Sequence, residues 1–464
     1  MRHFDLIIIG SGSGNSLVDE RFADWEVALI DDGPRFGGTC LNAGCIPTKM
    51  FVLPADAVRA PEDAARIGVL APRPSADWPA VRDRIFGRID PISTGGELWR
   101  EQAPGLTLYR DTARFVGERT LEVAGERITA GQIVVAAGSR CRWPADIKGL
   151  DAARASGRIH SSDTIMRIDE VPRRLIVIGA GSIAAELAHV FSAFGATVTV
   201  LARSATLLRH EDAEIAGRFT RAAAGYLDLR LCHAIHEVEA DAHGVRVRTT
   251  APDGATHVLE ADLVLVATGR RPNSDRVDAG AGGLAVDEFG FIEVDAYQRT
   301  TVTGVWALGD VSSRLMLKHV ANHEARVVQH NLLHPDALIA SNHAAIPHAV
   351  FSHPQVASVG LTEDAARAVG IDVAVAVQDY GTTAYGWAME DTASCVKLVA
   401  DRATGQLVGA HLIGPQASIL IQPLIQAMAT GLDVPRMARG QYWIHPALTE
   451  VVENALLSLG LEAS

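Results

Sequence analysis

Two cysteines five positions apart, Cys40 and Cys45, are the side chains in this sequence best suited to reversible redox chemistry. On a regular α-helix their Cα atoms would lie roughly 8.7 Å apart, whereas a disulfide requires a separation below about 7 Å. A closed pair therefore needs a backbone that leaves the helix between the two residues. Glycines and a proline around the pair permit this departure, namely Gly37, Gly38, Gly44 and Pro47. The spacing predicts a dithiol that opens and closes.

Two other interpretations of this pair are open: two unrelated buried thiols, or half of a zinc site. A four-ligand zinc site needs further cysteines or histidines at short spacing, and none lies nearby in the sequence. The three remaining cysteines, Cys141, Cys232 and Cys395, are distant from the pair and are expected to pack as small apolar side chains.

The length, charge and cysteine content of the chain narrow the classes of protein to which it can belong. Its 464 residues are enough for roughly three domains. The formal net charge of −13 argues against generic binding to nucleic acid or to anionic membranes, because both depend on clustered Lys and Arg. No apolar run is long enough for a signal peptide or a membrane-spanning helix. We therefore expect a cytoplasmic protein whose partner is a small molecule.

A glycine-rich turn between a buried strand and a helix occurs twice. In the first copy, strands are predicted at residues 4–9 and 27–30, with a helix through about residue 22. In the second copy, a helix lies between strands at residues 175–178 and 197–201. Each turn lets a pyrophosphate reach backbone N–H groups at a helix N-terminus, so two dinucleotide sites are predicted. The turn residues are Gly10, Gly12 and Gly14 in the first copy and Gly179, Gly181, Ser182 and Ile183 in the second.

The residues at the ends of the second strands distinguish the two nucleotides. Asp31 follows the strand of the first unit, where a carboxylate can accept hydrogen bonds from ribose hydroxyls, and this suits FAD. The second unit has Arg203 and Arg209 instead, which would bind a 2′-phosphate. NADPH is therefore favoured over NADH, with two solvated surface arginines as the alternative.

The sequence changes in character beyond residue 340. Alternating strands around residues 374–377 and 396–399 and a helix over about 418–430 indicate a separate α+β domain. Earlier in the chain, residues 61–79 are rich in Pro and Ala and are predicted to form a loop or a short helical insertion.

Six motifs, in order, resemble those of the FAD-dependent pyridine nucleotide-disulfide oxidoreductases, the family of glutathione reductase and dihydrolipoamide dehydrogenase. They are the two glycine turns and the runs at residues 40–49, 267–270, 304–310 and 445–450. The resemblance covers essentially the whole chain. It implies an α/β fold with two Rossmann-like dinucleotide-binding domains and an α+β C-terminal dimerisation domain. The implied divisions are 1–152 and 273–340 for FAD, 153–272 for NADPH and 341–464 for the interface.

The family pattern also implies roles for individual residues. Cys45 would exchange electrons with the flavin, while Cys40 would attack the substrate disulfide. Lys49 would lie near flavin N5, paired with Glu186, and Asp310 would bind the ribityl chain. Further cofactor contacts implied by the pattern are Gly38, Thr39, Ala113, Gly138 and Gly269.

His445 and Glu450 resemble the acid–base pair of the family. An imidazole can deprotonate the attacking thiol and protonate the leaving one, while a carboxylate fixes its orientation. In the family this pair reaches into the active site of the partner subunit, so a homodimer with shared sites is implied. Without the resemblance, a structural role for His445 is as well supported as a catalytic one. His319 and His323 are spaced to share one helix face, but no third ligand is evident, and no metal is expected.

Four stretches narrow the resemblance to the branch of the family that reduces the disulfide of mycothiol, a cysteine-bearing pseudo-disaccharide. They lie at residues 86–91, 318–326, 385–391 and 440–445. We hypothesise that Trp443 shapes the substrate pocket, with a core tryptophan as the alternative. Ser182 replaces the tyrosine that covers the flavin in glutathione reductases, and the tail at 460–464 lacks the cysteines of a C-terminal relay.

The sequence leaves three rival functions open. Dihydrolipoamide dehydrogenase-type activity is disfavoured by Arg203 and Arg209, and glutathione reductase-type activity is the second rival. The third, from another class of protein, is a flavin-bearing docking subunit of a multienzyme complex.

Overall fold

Five β-sheets form the framework of residues 1–462, the part of the chain that the computed structural model describes. The strands are β1 (Arg2–Ile9), β2 (Val27–Ile30), β3 (Leu106–Tyr109), β4 (Arg114–Gly117), β5 (Thr120–Val123), β6 (Glu126–Val135), β7 (Ser139–Cys141), β8 (Ile159–His160), β9 (Arg174–Ile178), β10 (Thr197–Leu201), β11 (Asp228–Arg230), β12 (Ala234–Ala240), β13 (Val245–Thr250), β14 (Thr256–Ala261), β15 (Leu263–Val266), β16 (Arg270–Pro272), β17 (Val305–Ala307), β18 (Pro347–Val350), β19 (Val356–Gly360), β20 (Val373–Asp379), β21 (Cys395–Asp401) and β22 (Leu407–Ile413). Ala463 and Ser464 lie outside the described residues. They are the last two residues of the predicted interface domain and of the tail at 460–464 that lacks cysteine.

Helices cover the faces of these sheets. The α-helices are α1 (Gly38–Asn42), α2 (Cys45–Arg66), α3 (Trp78–Glu101), α4 (Leu150–Arg154), α5 (Ser162–Ile165), α6 (Ser182–Ala193), α7 (Ala213–Ala223), α8 (Lys318–Leu333), α9 (Glu363–Ala368), α10 (Ala384–Ala388), α11 (Ala417–Leu420), α12 (Gln422–Thr430), α13 (Val434–Arg439) and α14 (Thr449–Ser458). Short 3₁₀ helices lie at Gly14–Ser16, Glu20–Phe22, Ala279–Gly282, Gly309–Val311 and Tyr380–Thr382.

The first sheet has the strand order β3-β2-β1-β6-β5-β4, and β17 pairs with β6 on its own. Its central strands are parallel and nearly continuous in apolar residues, as buried parallel strands are. Ile9 is in register with both Ile30 and Val135, so the carboxyl ends of β1, β2 and β6 meet at one edge. Ligands of open α/β sheets bind at this edge.

The second sheet, β11-β10-β9-β15-β8, is parallel throughout. In the sequence, its strands come after β6 and before β17, which both belong to the first sheet. The strands predicted at residues 27–30 and 197–201 are confirmed with the same bounds as β2 and β10. An antiparallel sheet, β12-β13-β14, and the short pair β16-β7 complete this region. The predicted fold of two Rossmann-like units is confirmed.

The C-terminal sheet, β18-β19-β22-β21-β20, is antiparallel, and helices α11 to α14 belong to the same region of the chain. Leu398, Leu412 and Val452 are fully buried in the core that joins its strands to the helices. The α+β prediction for the C-terminal region is therefore confirmed.

The helix predicted after the first glycine turn is wrong. The chain forms only the 3₁₀ helices Gly14–Ser16 and Glu20–Phe22 before β2 begins. Arg100, which is 4% exposed, donates hydrogen bonds to the Asn15 side chain and to the carbonyls of Asn15 and Val18. These carbonyls are therefore satisfied by a distant guanidinium, so a continuous helix is not needed to pair them.

The prediction of a loop or short insertion at residues 61–79 is confirmed for residues 67–77, which form neither helix nor strand, whereas both ends of the stretch belong to helices. Helix α2 continues through Pro54 and Pro61 to Arg66, and α3 begins at Trp78 with Pro79 in its first turn. A proline in the first turn of a helix leaves no hydrogen bond unmade. Pro54 and Pro61 lie inside α2, whose Phe51, Ala55 and Val58 are buried in the core. No helix within residues 1–462 is both long and apolar enough to cross a membrane.

Candidate active site

The helix carrying the two cysteines is broken between them. Helix α1 ends before Ala43, whose φ is −152°, and α2 begins at Cys45 after Gly44 adopts φ −130° and ψ −121°. A Cβ added at Gly44 would lie 3.0 Å from the Thr39 carbonyl oxygen and 3.3 Å from the Cys40 Cα. A side chain at Gly44 would therefore require the neighbouring backbone to shift by a few tenths of an ångström. Both cysteines are free thiols, and their side chains are close enough for each to shift the pKa of the other.

The two thiols have opposite electrostatic tendencies. The interaction with Cys40, together with a smaller contribution from the Lys49 ammonium, lowers the pKa of Cys45 to about 6 against the effect of burial. The same interaction, together with burial, raises the pKa of Cys40 far above its usual range, while Lys318 opposes the rise. These opposite shifts favour Cys45 over Cys40 as the carrier of the negative charge in the reduced pair.

An ion pair joins the cysteine helix to the second dinucleotide unit. The Lys49 ammonium lies 2.8 Å from both carboxylate oxygens of Glu186, on α6. Glu186 is 5% exposed and also accepts a hydrogen bond of 2.9 Å from the Phe351 backbone N–H. Lys49 thus lies at the junction of α2, α6 and the segment that follows β18, and its ammonium is directed by a buried carboxylate.

The first glycine turn and the strand ends around it line a cleft at the edge of the first sheet. Gly10 has φ +111°, and a Cβ there would collide with the Ala136 carbonyl. Gly12 and Gly38 approach so closely that a Cβ on Gly38 would lie 2.6 Å from the Gly12 Cα. The cleft is lined by residues that include Gly10, Asp31, Asp32, Ala113 and Asn273. The glycine turn thus lines the cleft at the carboxyl ends of the strands, where a dinucleotide binds in this type of sheet, and this fits FAD.

Asp31 lies at the end of β2, where the sequence places it. One carboxylate oxygen accepts hydrogen bonds from the Ser11 backbone and hydroxyl at 2.9 and 2.5 Å. The other accepts from Gly33 N–H at 3.1 Å and pairs with Arg110 at 2.6 Å. The carboxylate is therefore held in place by protein donors, and any ribose hydroxyl would share it with them.

Asp310 belongs to a second polar group at the edge of the first sheet. The Ser139 hydroxyl donates to Asp310 at 2.6 Å, and the Arg270 guanidinium lies 4.0 Å from the same carboxylate. Gly138 and Gly269, at φ +67° and +110°, precede these partners in the chain. Beside Asp310, the buried Glu324 accepts from the Gly309 N–H, and burial raises the pKa of Glu324 to about 7.

The second glycine turn leads directly into a long helix. Gly179 has φ +132°, and a Cβ there would collide with the Ala267 carbonyl. Helix α6 begins at Ser182, with Ile183 next, and the N-cap Gly181 offers no side-chain acceptor to its first N–H groups. Those N–H groups have no partner within the helix, so they can bind a pyrophosphate.

The two arginines predicted to bind a 2′-phosphate are both exposed near the end of β10. Arg203 makes only a loose pair with Asp146, at 3.5 Å with both side chains mostly exposed. The Arg209 Nε lies 3.3 Å from the Nε2 of His210. Within the described residues, Arg209 forms no ion pair with a carboxylate. Both guanidinium groups are available to an anionic ligand.

His445 and Glu450 form a hydrogen-bonded pair near the start of α14. The imidazole Nδ1 lies 2.6 Å from the Glu450 carboxylate, and the His445 side chain is 72% exposed. No hydrogen bond joins His445 to either cysteine within residues 1–462. Its neighbour Trp443 packs against the C-terminal core and donates its indole N–H to the Ala438 carbonyl, whereas Tyr442 is fully exposed. The geometry of Trp443 favours the core role.

His319 and His323 do not converge on a metal. The Nε2 of His319 lies 2.9 Å from the Pro347 carbonyl, and His323 accepts from the Asn342 N–H. Within the described residues, no group of three His, Cys, Asp or Glu side chains is arranged to hold a metal ion. The sequence did not indicate roles for Arg100 and Lys318. Both are distant in the sequence from the first glycine turn, where Arg100 donates a hydrogen bond to Asn15 and Lys318 donates one to Ser13.

Two family models match the chain. The model described as pyridine nucleotide-disulphide oxidoreductase matches residues 4–325, and the dimerisation domain of the same family matches residues 346–456. The chain belongs to this family. The resemblance drawn from its motifs is confirmed, and membership makes the chain an oxidoreductase dependent on FAD and a pyridine nucleotide, with the dimerisation domain of the family.

Relatives of known name and a solved structure of another protein match this chain over nearly its full length. Mycothione reductases from two strains of Mycobacterium tuberculosis are 52% identical over 471 residues, covering 99% of this chain and 100% of the relative. A dihydrolipoyl dehydrogenase from Haloferax volcanii is 33% identical, covering 97% and 96%. The structure of the HOCl-induced flavoprotein disulfide reductase RclA from Escherichia coli has a TM-score of 0.84 and 26% identity, covering 98% and 99%.

Proposed function

We propose that the protein is a cytoplasmic, homodimeric enzyme that reduces mycothione, the disulfide of mycothiol, with NADPH. The observation that carries the chemistry is the unequal cysteine pair, a Cys45 thiolate beside a Cys40 thiol across a helix break. The substrate is supported by 52% identity, over the whole chain, to relatives named mycothione reductase. The preference for NADPH is supported by the exposed Arg203 and Arg209 at the second nucleotide site.

FAD, when bound in the first cleft, carries reducing equivalents from NADPH to the cysteine pair. The chain contributes the turn residues Gly10, Gly12 and Gly14, and the contacts of Gly38, Thr39 and Ala113, to hold it. Asp31 and Asp310 are assigned to its ribose and ribityl hydroxyls. On the nicotinamide side, Ser182 and Ile183 begin the helix that receives the second pyrophosphate.

The cysteine pair performs two thiol–disulfide exchanges. His445 of one subunit removes the Cys40 proton, and the Cys40 thiolate attacks the mycothione disulfide to form a mixed disulfide. The first mycothiol leaves with the proton returned by His445. The Cys45 thiolate then attacks the Cys40 sulfur, which releases the second mycothiol as a thiolate and closes the Cys40–Cys45 disulfide. Lys49 stabilises the Cys45 charge, and Glu186 orients Lys49.

A base from outside the chain is supported by the electrostatics of Cys40. Its pKa is raised by the interaction with Cys45 and by burial, so it needs a base before it can attack. His445 has a carboxylate partner and an exposed imidazole, the properties of a group that serves another subunit.

The divisions 1–152, 153–272, 273–340 and 341–464 are proposed as the domain limits. The pairing of β17 with β6 supports the return of the chain to the FAD domain.

A substrate screen tests this proposal. Purified enzyme is assayed with mycothione, glutathione disulfide and lipoamide, each with NADPH and NADH. We expect kcat/KM to be highest for mycothione with NADPH. Preference for lipoamide with NADH would replace the proposal with dihydrolipoamide dehydrogenase activity. Negligible turnover of all three, combined with co-purification of large acyltransferases, would replace it with a docking subunit.

A further inference from the structure

The two glycine turns differ in how much positive charge the backbone offers a pyrophosphate. The second turn opens onto α6, an α-helix of 12 residues whose N-terminal end carries a partial positive charge. The first opens onto the 3₁₀ helix Gly14–Ser16, only 3 residues long. The macrodipole of a helix comes from many aligned peptides, so the first turn lacks a charge source that the second has.

A lysine from a distant helix is directed at this first turn. Lys318, the first residue of α8, lies 305 positions after Ser13 and places its ammonium 2.8 Å from the Ser13 hydroxyl. Ser13 follows Gly12 in the turn, is 9% exposed, and donates to the Asn322 side chain one helical turn further along α8. Two side chains of α8 therefore fix the Ser13 hydroxyl, and the ammonium is held at the turn.

The charge of Lys318 has no carboxylate partner, which sets it apart from the other lysines of the chain. Lys49 pairs with Glu186, Lys148 with Glu237, and Lys397 with Asp212 and Glu363. Within residues 1–462, Lys318 forms no ion pair. A half-buried ammonium held beside a phosphate-binding turn and left unneutralised is arranged to meet an anion.

A second observation places the same ammonium on the cysteine side of the turn. Lys318 is close enough to Cys40 to oppose the rise in its pKa that the interaction with Cys45 and burial cause. Gly12 and Gly38 are in backbone contact at this point, so the turn and the cysteine helix meet there. The ammonium is therefore hydrogen-bonded to the glycine turn and is also close enough to the redox pair to act on Cys40 electrostatically.

We propose that Lys318 binds the FAD pyrophosphate and supplies, from its side chain, the positive charge that a helix N-terminus supplies at the second turn. The inference rests on FAD binding and is independent of which disulfide is reduced. Because a charged donor to a phosphate oxygen is worth more than a neutral one, Lys318 contributes to FAD retention through its charge.

The test compares Lys318→Gln with Lys318→Arg in the FAD-loaded full-length enzyme. Glutamine can still donate a hydrogen bond to Ser13 but carries no charge, whereas arginine keeps the charge. The measurement is the rate of FAD release after dilution, followed by flavin fluorescence at low and high ionic strength. We expect Lys318→Gln to release FAD about tenfold faster at low salt, and Lys318→Arg to remain close to the unmodified enzyme.

Salt separates a charge effect from a structural one. Screening weakens an ionic contact at high ionic strength, so the gap between Lys318→Gln and the unmodified enzyme should narrow there. Lys148→Gln is the control, because Lys148 is exposed and pairs with Glu237 on β12. Equal FAD release by Lys318→Gln and the unmodified enzyme at low salt would overturn the proposal. A faster release that is the same for Gln and Arg and insensitive to salt would also overturn it.

Discussion

At the scale of single residues, the charge on Cys45 depends most on its interaction with Cys40. The Cys40 thiol is the largest cause of the lowered pKa of Cys45, ahead of the Lys49 ammonium and against burial. Cys40→Ser keeps an O–H donor, whereas Cys40→Ala removes the donor. We therefore expect the pKa of Cys45 in the reduced protein to stay near 6 in the serine variant and to rise toward the ordinary value of about 8.5 in the alanine variant.

The pH dependence of alkylation by iodoacetamide measures this pKa, since only the thiolate reacts. Both variants should retain FAD and lose disulfide reduction. Identical alkylation midpoints for the two variants would contradict the assigned cause. The lowered pKa also makes the free energy of unfolding depend on pH. The stabilisation by the Cys45 thiolate is complete above the pKa of the unfolded chain, about 8.5, and is lost as pH falls through about 6.

The pairing of Lys49 with Glu186 is a second residue-scale contact that a double-mutant cycle can isolate. The Glu186 side chain is 7% exposed and the Lys49 side chain is 35% exposed, so solvent screens part of the attraction. We expect a coupling of about 1 kcal/mol in the free energy of urea unfolding between Lys49→Met and Glu186→Gln. The exposed pair of Arg66 and Asp63 is the control, with an expected coupling of about 0.3 kcal/mol. Equal coupling in the two cycles would show that burial of Glu186 adds nothing.

At the scale of elements, the first glycine turn depends on Arg100, at the end of α3. Its guanidinium is buried and satisfies the Asn15 and Val18 carbonyls. Arg100→Met leaves these acceptors without a partner, so we expect a loss of about 2–3 kcal/mol in the free energy of unfolding. Arg21→Met, at an exposed pair with Asp19, should cost less than about 1 kcal/mol. Urea denaturation of both variants checks the difference, and equal losses would remove the structural role of Arg100.

The nucleotide preference is also decided at an element boundary, where β10 ends. The double variant Arg203→Ala and Arg209→Ala removes both guanidinium groups from the proposed 2′-phosphate site. We expect kcat/KM for NADPH to fall about tenfold or more, while kcat/KM for NADH changes little. Arg246→Ala, an exposed arginine on β13 paired with Glu239, is the control. An equal loss with both nucleotides would mean that the arginines do not read the phosphate.

The strands and glycine turns could be predicted because their signals are local. Apolar runs gave β2 and β10 with their observed bounds, and the spacing of Cys40 and Cys45 required the helix break that α1 and α2 have. The missing helix after Gly14 could not be predicted, because its substitute contacts come from Arg100, 85 residues away from Asn15. Lys318 acts over 305 residues, and no local pattern encodes such a contact.

At the scale of the whole molecule, no hydrogen bond joins the proposed acid–base pair to the cysteine pair within one chain, over residues 1–462. The contact with Cys45 and burial raise the pKa of Cys40, so the proposed mechanism needs a base for this thiol. The paired His445 lies exposed, beside the exposed side chains of Tyr442 and Ile444. The sequence motif identifies His445 and Glu450 as a pair, but in the proposed arrangement their position relative to Cys40 is set by a second chain, which a single sequence cannot position.

Mixed dimers test the sharing of the site directly. Cys40→Ser and His445→Ala each inactivate both sites of a homodimer, because every site then lacks one of the two groups. In a dimer of one variant with the other, a shared arrangement gives one site both an intact Cys40 and an intact His445, and the other site neither. Random pairing should therefore restore about a quarter of the activity of the unmodified enzyme, measured as NADPH oxidation with mycothione after co-expression. If each chain used its own His445, every site in the mixture would remain defective and no activity would return.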